Sequence, residues 1–237
     1  STLPAASYTY AIPADVAAKY SIRRYGFHGT SHNFVSHQAA ELLGKPYDQT
    51  TQIVCHLGNG ASISAIKDGV AVDTSMGLTP LEGLVMGTRC GDVDANAVLY
   101  MMKKENLTPD QMYDIVNKKS GFLGVSQKTS DARELDELAN NGDRQAKLVL
   151  KMLTFQMIKY IGAYTAEMNG VDAIFFTGGI GEHNSRLRRR VCENFTYLGL
   201  AFDYEANTAW GVDTVISLPD SKVKVALVTT DEELVIA

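Results

Sequence analysis

The segment that decides the fold is IVCHLGNGAS, residues 53–62, in which an apolar run leads into a glycine turn. A second segment of the same kind, AIFFTGGIGEHN, occupies residues 173–184. An apolar run bounded by turn residues indicates a buried strand. Glycine lets such a turn approach an anionic group closely, because it has no Cβ and tolerates positive φ. Two turns of this kind predict the two halves of one nucleotide cleft.

Two further segments accompany the glycine turns. RYGFHGTSH, residues 24–32, precedes the first turn, and MGLTPLEGLVMGTRCGD, residues 76–92, follows it. Together the four segments resemble the acetate and propionate kinase family, and the resemblance covers essentially all 237 residues. That family belongs with the sugar kinases, Hsp70 chaperones and actin. The resemblance therefore implies an α/β fold: a ribonuclease-H-like domain with a mixed sheet flanked by helices.

The resemblance is to the C-terminal part of such an enzyme. We therefore expect residues 1–237 to form its C-terminal nucleotide-binding domain, with the N-terminal domain absent from this chain. The N-terminal sequence STLPAASY lacks an initiator Met and the charged start of a signal peptide, and we interpret the chain as a piece of a longer one. The family also uses an aspartate upstream of residue 1. The chain alone is accordingly expected to bind nucleotide weakly and to turn over little or nothing.

Composition excludes several classes of partner. Hydrophobic residues make up 45% and charged residues 21% of the sequence, which is ordinary for a soluble globular protein. A net charge of −5 gives no electrostatic reason to expect binding to nucleic acid or to an anionic membrane. No apolar run approaches the roughly 20 residues that span a bilayer. The three cysteines contain no CxxC pair, which favours reduced thiols in a cytoplasmic protein over a zinc site.

Periodicity predicts most of the regular elements. We predict strands over residues 52–57, 61–67, 70–74 and 223–229, and a strand, turn and helix over 171–198. Helices are predicted over residues 13–20, 31–43, 94–104, 108–118 and 143–169. The last of these helices is too apolar for a single exposed face. It is expected to lie in the core or at a subunit contact, and we expect a homodimer formed through this domain.

The first glycine turn supplies candidate phosphate ligands. Its Asn-Gly dipeptide also suits a plain hairpin turn, so the residues alone leave both interpretations open. The resemblance implies that Asn59 and Gly60 contact nucleotide phosphates and that His56 supports the transition state.

His28 and His32 are four residues apart, a spacing that on a helix would place both on one face as zinc ligands. Gly29 disfavours a helix at that point, and a capped helix with one packed histidine is the structural alternative. The resemblance implies that His28 donates to the phosphoryl group in transfer. His32 is more easily explained as a residue that orients its neighbours.

Arg89 lies between Gly87 and Gly91, and these small neighbours leave its guanidinium able to reach into a cleft. There it could grip carboxylate or phosphate oxygens with two parallel hydrogen bonds. The alternative is a surface ion pair with Asp92 or Asp94. We favour a catalytic role, because the surrounding segment matches the family throughout.

The adenosine pocket is assigned by resemblance to two segments. Asp131 is expected near the ribose and Arg133 beside the base, with Ala132 between them; the alternative is a helix start capped by Ser130. In the second segment, Gly178, Gly179, Ile180, Gly181 and Asn184 are expected to lie against the adenosine and its α-phosphate. Neither a Walker A motif nor GxGxxG spacing is present.

The remaining candidate residues lie at the end of the second segment or after it. We interpret His183 as incidental. The arginines at 186, 188, 189 and 190 are interpreted as a solvated helix face. Glu232 matches the family's magnesium-associated glutamate, although Glu233 is a possible counterpart. The acidic run could also simply begin a helix, where carboxylates interact well with the dipole.

The implied reaction transfers the γ-phosphoryl group of ATP, with Mg²⁺, reversibly to acetate, giving acetyl phosphate and ADP. Acetate is ionised at neutral pH, so the reaction needs alignment and charge neutralisation rather than a general base. The unbroken segment LTPLEGLVMGTR favours acetate over propionate or another short-chain fatty acid. A nucleotide-binding module without chemistry and a structural dimerisation domain are the remaining alternatives.

Overall fold

The structure is a computed structural model and describes residues 2–229. Its centre is a six-stranded mixed sheet in the order β3-β2-β1-β4-β6-β5. The strands are β1 Thr51–Leu57, β2 Ala61–Lys67, β3 Val70–Thr74, β4 Ala173–Thr177, β5 Thr214–Val215 and β6 Lys224–Leu227. The first three are antiparallel, whereas β1, β4 and β6 run parallel. This is the mixed sheet of a ribonuclease-H-like domain, as predicted.

The central strands are apolar because both faces of the sheet are covered. Ile53 and Val54 are fully buried although their side chains point to opposite faces. β4 is likewise buried over its whole length. A strand enclosed on both faces reads as a continuous apolar run, which is why both segments were recognisable in the sequence.

Helices flank the sheet on both faces. Ten α-helices are described: α1 Ala5–Tyr8, α2 Ala14–Tyr20, α3 Gly29–Leu43, α4 Ala95–Glu105, α5 Pro109–Lys118, α6 Gly121–Ser126, α7 Ala132–Asn140, α8 Arg144–Glu167, α9 Gly178–His183 and α10 Ser185–Cys192. Short 3-10 turns lie at Tyr47–Gln49, Glu193–Leu198 and Ala206–Thr208. The predicted helices are confirmed, with their ends displaced by one or two residues. The short helices α1 and α6 and the two-residue strand β5 were not predicted.

The two faces of the sheet carry different helices. On one face α3 places Val35 and Ala39 against Val54 and Phe175. The other face is covered by the larger core, to which the long helix α8 contributes. α8 is buried along one side only, since its Leu148 remains 45% exposed and its Phe155 65% exposed.

The arginine-rich helix α10 corrects one prediction. Arg188 is only 1% exposed, so its assignment to a solvated face is wrong. Its guanidinium bonds Asn207 through the side-chain oxygen at 2.9 Å and through the carbonyl at 2.8 Å. Hydrogen bonds to carbonyls satisfy the buried charge without a carboxylate, and such bonds cannot be seen in a charge pattern.

None of the helices within residues 2–229 is both long enough and apolar enough to cross a membrane.

Candidate active site

The two glycine turns lie side by side at one edge of the sheet. β1 and β4 are parallel and in register, with His56 opposite Thr177, so both strands end at the same level. Gly178 follows β4 with φ +76°, and a Cβ built there would lie 2.8 Å from the Leu57 carbonyl oxygen. Only glycine allows this close approach of the two strand ends. The turns therefore form one continuous surface, as predicted.

A cleft of about 660 Å³ opens over these turns. This volume is within the range of small-molecule and cofactor sites. Its walls come from the first turn, the start of α7 and the second turn. The lining residues are Gly58, Asn59, Gly87, Phe122, Ser130, Asp131, Ala132, Arg133, Asp136, Gly179, Ile180, His183, Asn184, Ser185 and Arg186.

The predicted adenosine residues lie in this cleft with defined local roles. Asp131, not Ser130, is the N-cap of α7, and its carboxylate accepts the Arg133 backbone N–H at 2.7 Å. The Arg133 guanidinium also bonds this carboxylate at 2.8 Å, and these contacts lower the pKa of Asp131 to about 2. Asp131 is therefore an anion at neutral pH, with Arg133 reaching outward beside it.

The second turn divides into lining and supporting residues. Gly179 and Ile180 line the cleft, whereas Gly178 and Gly181 are buried beneath it. Asn184 lines the cleft and also caps α10, where its side-chain oxygen accepts the Leu187 N–H at 2.9 Å.

Three further residues, at the end of the second turn and the start of α10, line the cleft. These are His183, Ser185 and Arg186, and His183 was interpreted from the sequence as incidental. Nδ1 of His183 donates to the Gly179 carbonyl at 2.9 Å, because a carbonyl oxygen can only accept. The position of His183 directly after the glycine turn was the available signal.

The three predicted catalytic residues converge on the predicted phosphate-binding Gly60 at the first turn. A Cβ built on Gly60 would lie 3.1 Å from His28 Nε2 and 3.4 Å from Arg89 Nη1. The rings of His28 and His56 are stacked with centroids 4.3 Å apart. An imidazole stack and a guanidinium therefore flank the backbone of Gly60, where an anionic group could approach.

Arg89 is half-buried and has no carboxylate within ion-pair distance among residues 2–229. Its Nη1 donates to the Pro80 carbonyl at 3.0 Å. The two proposed surface partners are engaged elsewhere: Asp92 accepts from Gly83 N and from the Tyr160 hydroxyl, and Asp94 caps α4. The ion-pair alternative is therefore wrong, and the charge of Arg89 is available to an anionic ligand.

The loop that carries Arg89 is held by Arg24. One guanidinium nitrogen of Arg24 donates to the Thr74 carbonyl at 2.8 Å, and another bonds Glu82 at 2.7 Å. The same carboxylate accepts a short hydrogen bond from the Tyr10 hydroxyl. Burial, together with this contact, raises the pKa of Tyr10 to about 12. This network fixes the segment between β3 and Arg89.

Two buried serines bond the three clustered histidines. Ser62 Oγ lies 2.9 Å from His28 Nδ1 and 2.7 Å from His32 Nε2. Ser31 Oγ lies 2.8 Å from His56 Nδ1. Burial lowers the pKa of His32 to about 3 and lowers that of His56 as well. Neither serine was singled out from the sequence, because serine in a strand or a first helical turn carries no specific signal.

The zinc alternative for His28 and His32 finds no support in the described part of the chain. Their ring centroids are 6.4 Å apart, and a nitrogen of each ring bonds Ser62. No group of three His, Cys, Asp or Glu side chains in residues 2–229 could hold a metal ion.

Comparison with known proteins identifies the group to which these features belong. The sequence matches the acetokinase family over residues 1–237. This chain belongs to the acetokinase family. The acetate kinase of Thermotoga maritima is 54% identical over 239 residues, a match that covers 100% of this chain and 59% of that protein. The acetate kinase of Carboxydothermus hydrogenoformans is 52% identical with the same coverage.

Solved structures of the family share the fold described above. The crystal structure of Porphyromonas gingivalis acetate kinase superposes with a TM-score of 0.97 at 49% identity, over 99% of this chain and 59% of that one. A propionate kinase from Francisella tularensis superposes with a TM-score of 0.92 at 40% identity, over 100% of this chain and 60% of that one. The chain thus spans about three fifths of the length of these acetokinase relatives.

The predicted magnesium residue Glu232 and its alternative Glu233 lie outside the described residues. Within residues 2–229 the acidic side chains of the cleft are already engaged, because Asp131 pairs with Arg133 and Asp136 accepts from Asn184. The described part of this acetokinase chain therefore gives no magnesium ligand set.

Proposed function

We propose that these residues contribute the nucleotide half of an acetate kinase, which transfers the γ-phosphoryl group of ATP reversibly to acetate. The observation that carries the proposal is the convergence of His28, His56 and Arg89 around Gly60, at one side of a nucleotide-sized cleft. Phosphoryl transfer needs positioned groups that neutralise charge on the equatorial oxygens, and this arrangement supplies them.

The nucleotide is proposed to lie across both glycine turns. Its phosphates would contact Asn59 and Gly60, and its adenosine would occupy the space between Asp131, Arg133 and Ile180. Several cleft walls are backbone or small residues, which suits close approach of a phosphate chain.

At the reacting end, Arg89 is proposed to grip the phosphoryl oxygens with its planar fork, while the two stacked imidazoles donate hydrogen bonds. An acetate carboxylate is already the nucleophile at neutral pH, so no residue is needed to remove a proton from it. When bound, magnesium would neutralise charge on the nucleotide phosphates, and Glu232 is the proposed residue associated with it.

We propose further that residues 1–237 are the C-terminal nucleotide-binding domain and that an N-terminal domain supplies the other wall of the cleft. The match to 59% of the relatives' length supports the view that these residues are one part of a longer enzyme, and the C-terminal placement rests on the resemblance. A cytoplasmic location is proposed because Cys55, Cys90 and Cys192 are all free thiols.

A homodimer formed through this domain is proposed on the exposed apolar side of α8. Leu148 and Phe155 are seven residues apart and therefore share a helix face, and both remain exposed. Sedimentation of the chain and of a Phe155→Glu variant tests this: the wild-type chain should sediment as a dimer and the variant as a monomer.

Acetate is proposed as the preferred acyl substrate over propionate, on the unbroken segment LTPLEGLVMGTR. An acetate kinase and a propionate kinase both share this fold, so the proposed preference rests on the sequence of the segment and not on the fold. The ratio of kcat/KM for acetate and propionate with the full-length enzyme decides between them.

The test of the proposed activity is ATP formation from acetyl phosphate and Mg-ADP, measured with a coupled assay. The full-length enzyme is expected to turn over, and the 237-residue chain is expected to show little or none. Nucleotide binding by the full-length protein without turnover would favour a non-catalytic module. Clear turnover by the chain alone would overturn the view that its active site is incomplete.

A further inference from the structure

One buried hydroxyl connects two of the three clustered histidines. Ser62 is fully buried on β2, and its Oγ lies within hydrogen-bond distance of both His28 Nδ1 and His32 Nε2. A serine hydroxyl has one proton, and these two nitrogens are the only hydrogen-bond partners of Ser62 Oγ within residues 2–229. Its proton is therefore satisfied only if it is donated to one nitrogen while the oxygen accepts from the other. Two arrangements of protons are possible, running in opposite directions.

The surroundings of His32 distinguish the two arrangements. His32 is 5% exposed, and its burial holds the pKa near 3, so the ring is neutral and carries a single N–H. Within residues 2–229 its Nδ1 is buried and has no hydrogen-bond partner. If the proton were on Nδ1, a donor would be buried without an acceptor, and buried N–H groups without partners are rare in folded proteins. The proton therefore belongs on Nε2, which donates to Ser62.

The donor at His32 Nε2 determines the direction of the hydrogen bond between Ser62 and His28. Since Ser62 accepts from His32, its own proton is directed to His28 Nδ1. A histidine whose Nδ1 accepts a hydrogen bond carries its proton on Nε2. His28 Nε2 is the nitrogen that lies 3.1 Å from the Cβ position of Gly60, on the side shared with Arg89.

We infer that Ser62, oriented by His32, fixes the imidazole of His28 in the tautomer that presents an N–H at Nε2 toward the phosphoryl site. Ser62 and His32 are thus positioning residues that act through His28. The consequence for phosphoryl transfer rests on the proposed function, whereas the tautomer itself does not. His28 then works as a neutral hydrogen-bond donor, and Arg89 supplies the charge beside it.

The backbone supports the same orientation. His28 is the N-cap of α3 with φ 59° and ψ 24°, a left-handed conformation that few non-glycine residues adopt. This strained position holds the ring between Ser62 and His56, and strain of this kind concentrates at functional sites.

The direct test is long-range ¹H–¹⁵N correlation NMR on the chain labelled at its histidine nitrogens. There are five histidines in the sequence, so single substitutions assign every ring. The expected result in the wild-type chain is that His28 and His32 both carry the proton on Nε2. A proton on Nδ1 of His28 would overturn the inference.

Two variants test the role of the hydroxyl. Ser62→Ala is expected to release His28 into a mixture of tautomers. The matched control is Ser64→Ala, because Ser64 is a buried serine on the same face of β2 whose hydroxyl bonds Thr74 instead. If Ser62→Ala does not fold, His32→Leu removes the donor at the other end and should have the same effect, whereas His32→Gln retains an N–H donor and should preserve the wild-type pattern. An unchanged His28 tautomer in the folded Ser62→Ala or His32→Leu chain would overturn the inference.

Kinetics of the full-length enzyme provide the functional readout. Ser62→Ala should lower kcat by about tenfold, the size expected for one hydrogen bond in the transition state, with little change in either KM. Ser64→Ala should leave kcat close to wild type. A loss of the fixed tautomer without any loss of kcat would refute the proposed importance for catalysis. Absence of activity in the wild-type enzyme would instead refute the proposed function and leave the NMR result intact.

Discussion

The imidazole rings of His28 and His56 lie face to face, with their centroids 4.3 Å apart and their planes inclined by 24°. Two positive charges at this separation would repel strongly, so the stack disfavours protonation of both rings at once. Burial also lowers the pKa of His56, and Ser31 holds its Nδ1. The positive charge beside Gly60 therefore comes from Arg89, and the histidines contribute oriented hydrogen-bond donors.

Replacement of Gly60 by alanine tests how closely these groups are packed. The backbone of Gly60 does not need positive φ, so the variant is expected to fold. Its methyl group would lie 3.1 Å from His28 Nε2 and 3.4 Å from Arg89 Nη1, and one of these side chains must then move. We expect kcat of the full-length enzyme to fall at least tenfold, the cost of misplaced catalytic groups. Unchanged kcat in a stably folded variant would show that this convergence is irrelevant to turnover.

A second glycine gives the matched control on stability. Gly162 lies within α8, and a Cβ built there meets no atom of the described residues within 4 Å. Gly162→Ala should raise the free energy of unfolding by about 0.5–1 kcal/mol, because alanine loses less conformational entropy in a helix. Urea unfolding measures this change, and kcat should stay at the wild-type value. A loss of stability would mean that the packing around α8 is tighter than described.

The nucleotide cleft can be tested at Gly179. This residue lines the cleft without positive φ, and a Cβ there would meet no atom of residues 2–229 within 4 Å. Gly179→Leu should therefore fold normally while its side chain occupies space proposed for the adenosine. We expect KM for ADP to rise at least tenfold, with KM for acetyl phosphate nearly unchanged. An equal rise in both constants would argue against an adenosine site here.

The buried histidines predict a loss of stability in mild acid. Folding lowers the pKa of His32 from its ordinary value of 6.5 to about 3, so below 6.5 the unfolded chain binds a proton that the folded chain excludes. The free energy of unfolding should therefore fall as the pH drops through this range, by up to about 1.4 kcal/mol per pH unit for this one group. The lowered pKa of His56 acts in the same direction.

Urea unfolding between about pH 7.5 and about pH 5.5 isolates this effect, because ordinary carboxyl groups titrate at lower pH. His32→Gln removes the group and should reduce the dependence of stability on pH, leaving the part due to His56. A variant with the same slope as the wild-type chain would show that His32 is not the group responsible.

The fold was largely predictable because its central strands carry a strong local signal. β1 and β4 are covered on both faces and appear in the sequence as apolar runs before glycine turns. The helix predicted over residues 108–118 is α5, which begins with a Thr108 cap and a complete capping box. Candidate catalytic residues were found through the resemblance of whole segments, not through any single pattern.

The parts that escaped prediction depend on contacts between distant segments. Ser62 and Arg188 have functions only in relation to His32 and to the carbonyls of another loop, and no local spacing reports these partners. His183 follows the second glycine turn in the sequence, but that it lines the cleft is seen only when the opposite wall is in place.

Turnover of acetyl phosphate and Mg-ADP by the full-length enzyme carrying Arg89→Ala tests the central claim most directly. Arg89 is the cation proposed to neutralise the transferring group, so kcat should fall by about 10²–10³-fold while the protein stays folded. Arg89→Lys keeps the charge but loses the planar fork of hydrogen-bond donors. Its kcat should therefore lie between those of the wild-type enzyme and the alanine variant. Near wild-type kcat in the alanine variant would contradict the assignment of this cleft as the site of phosphoryl transfer.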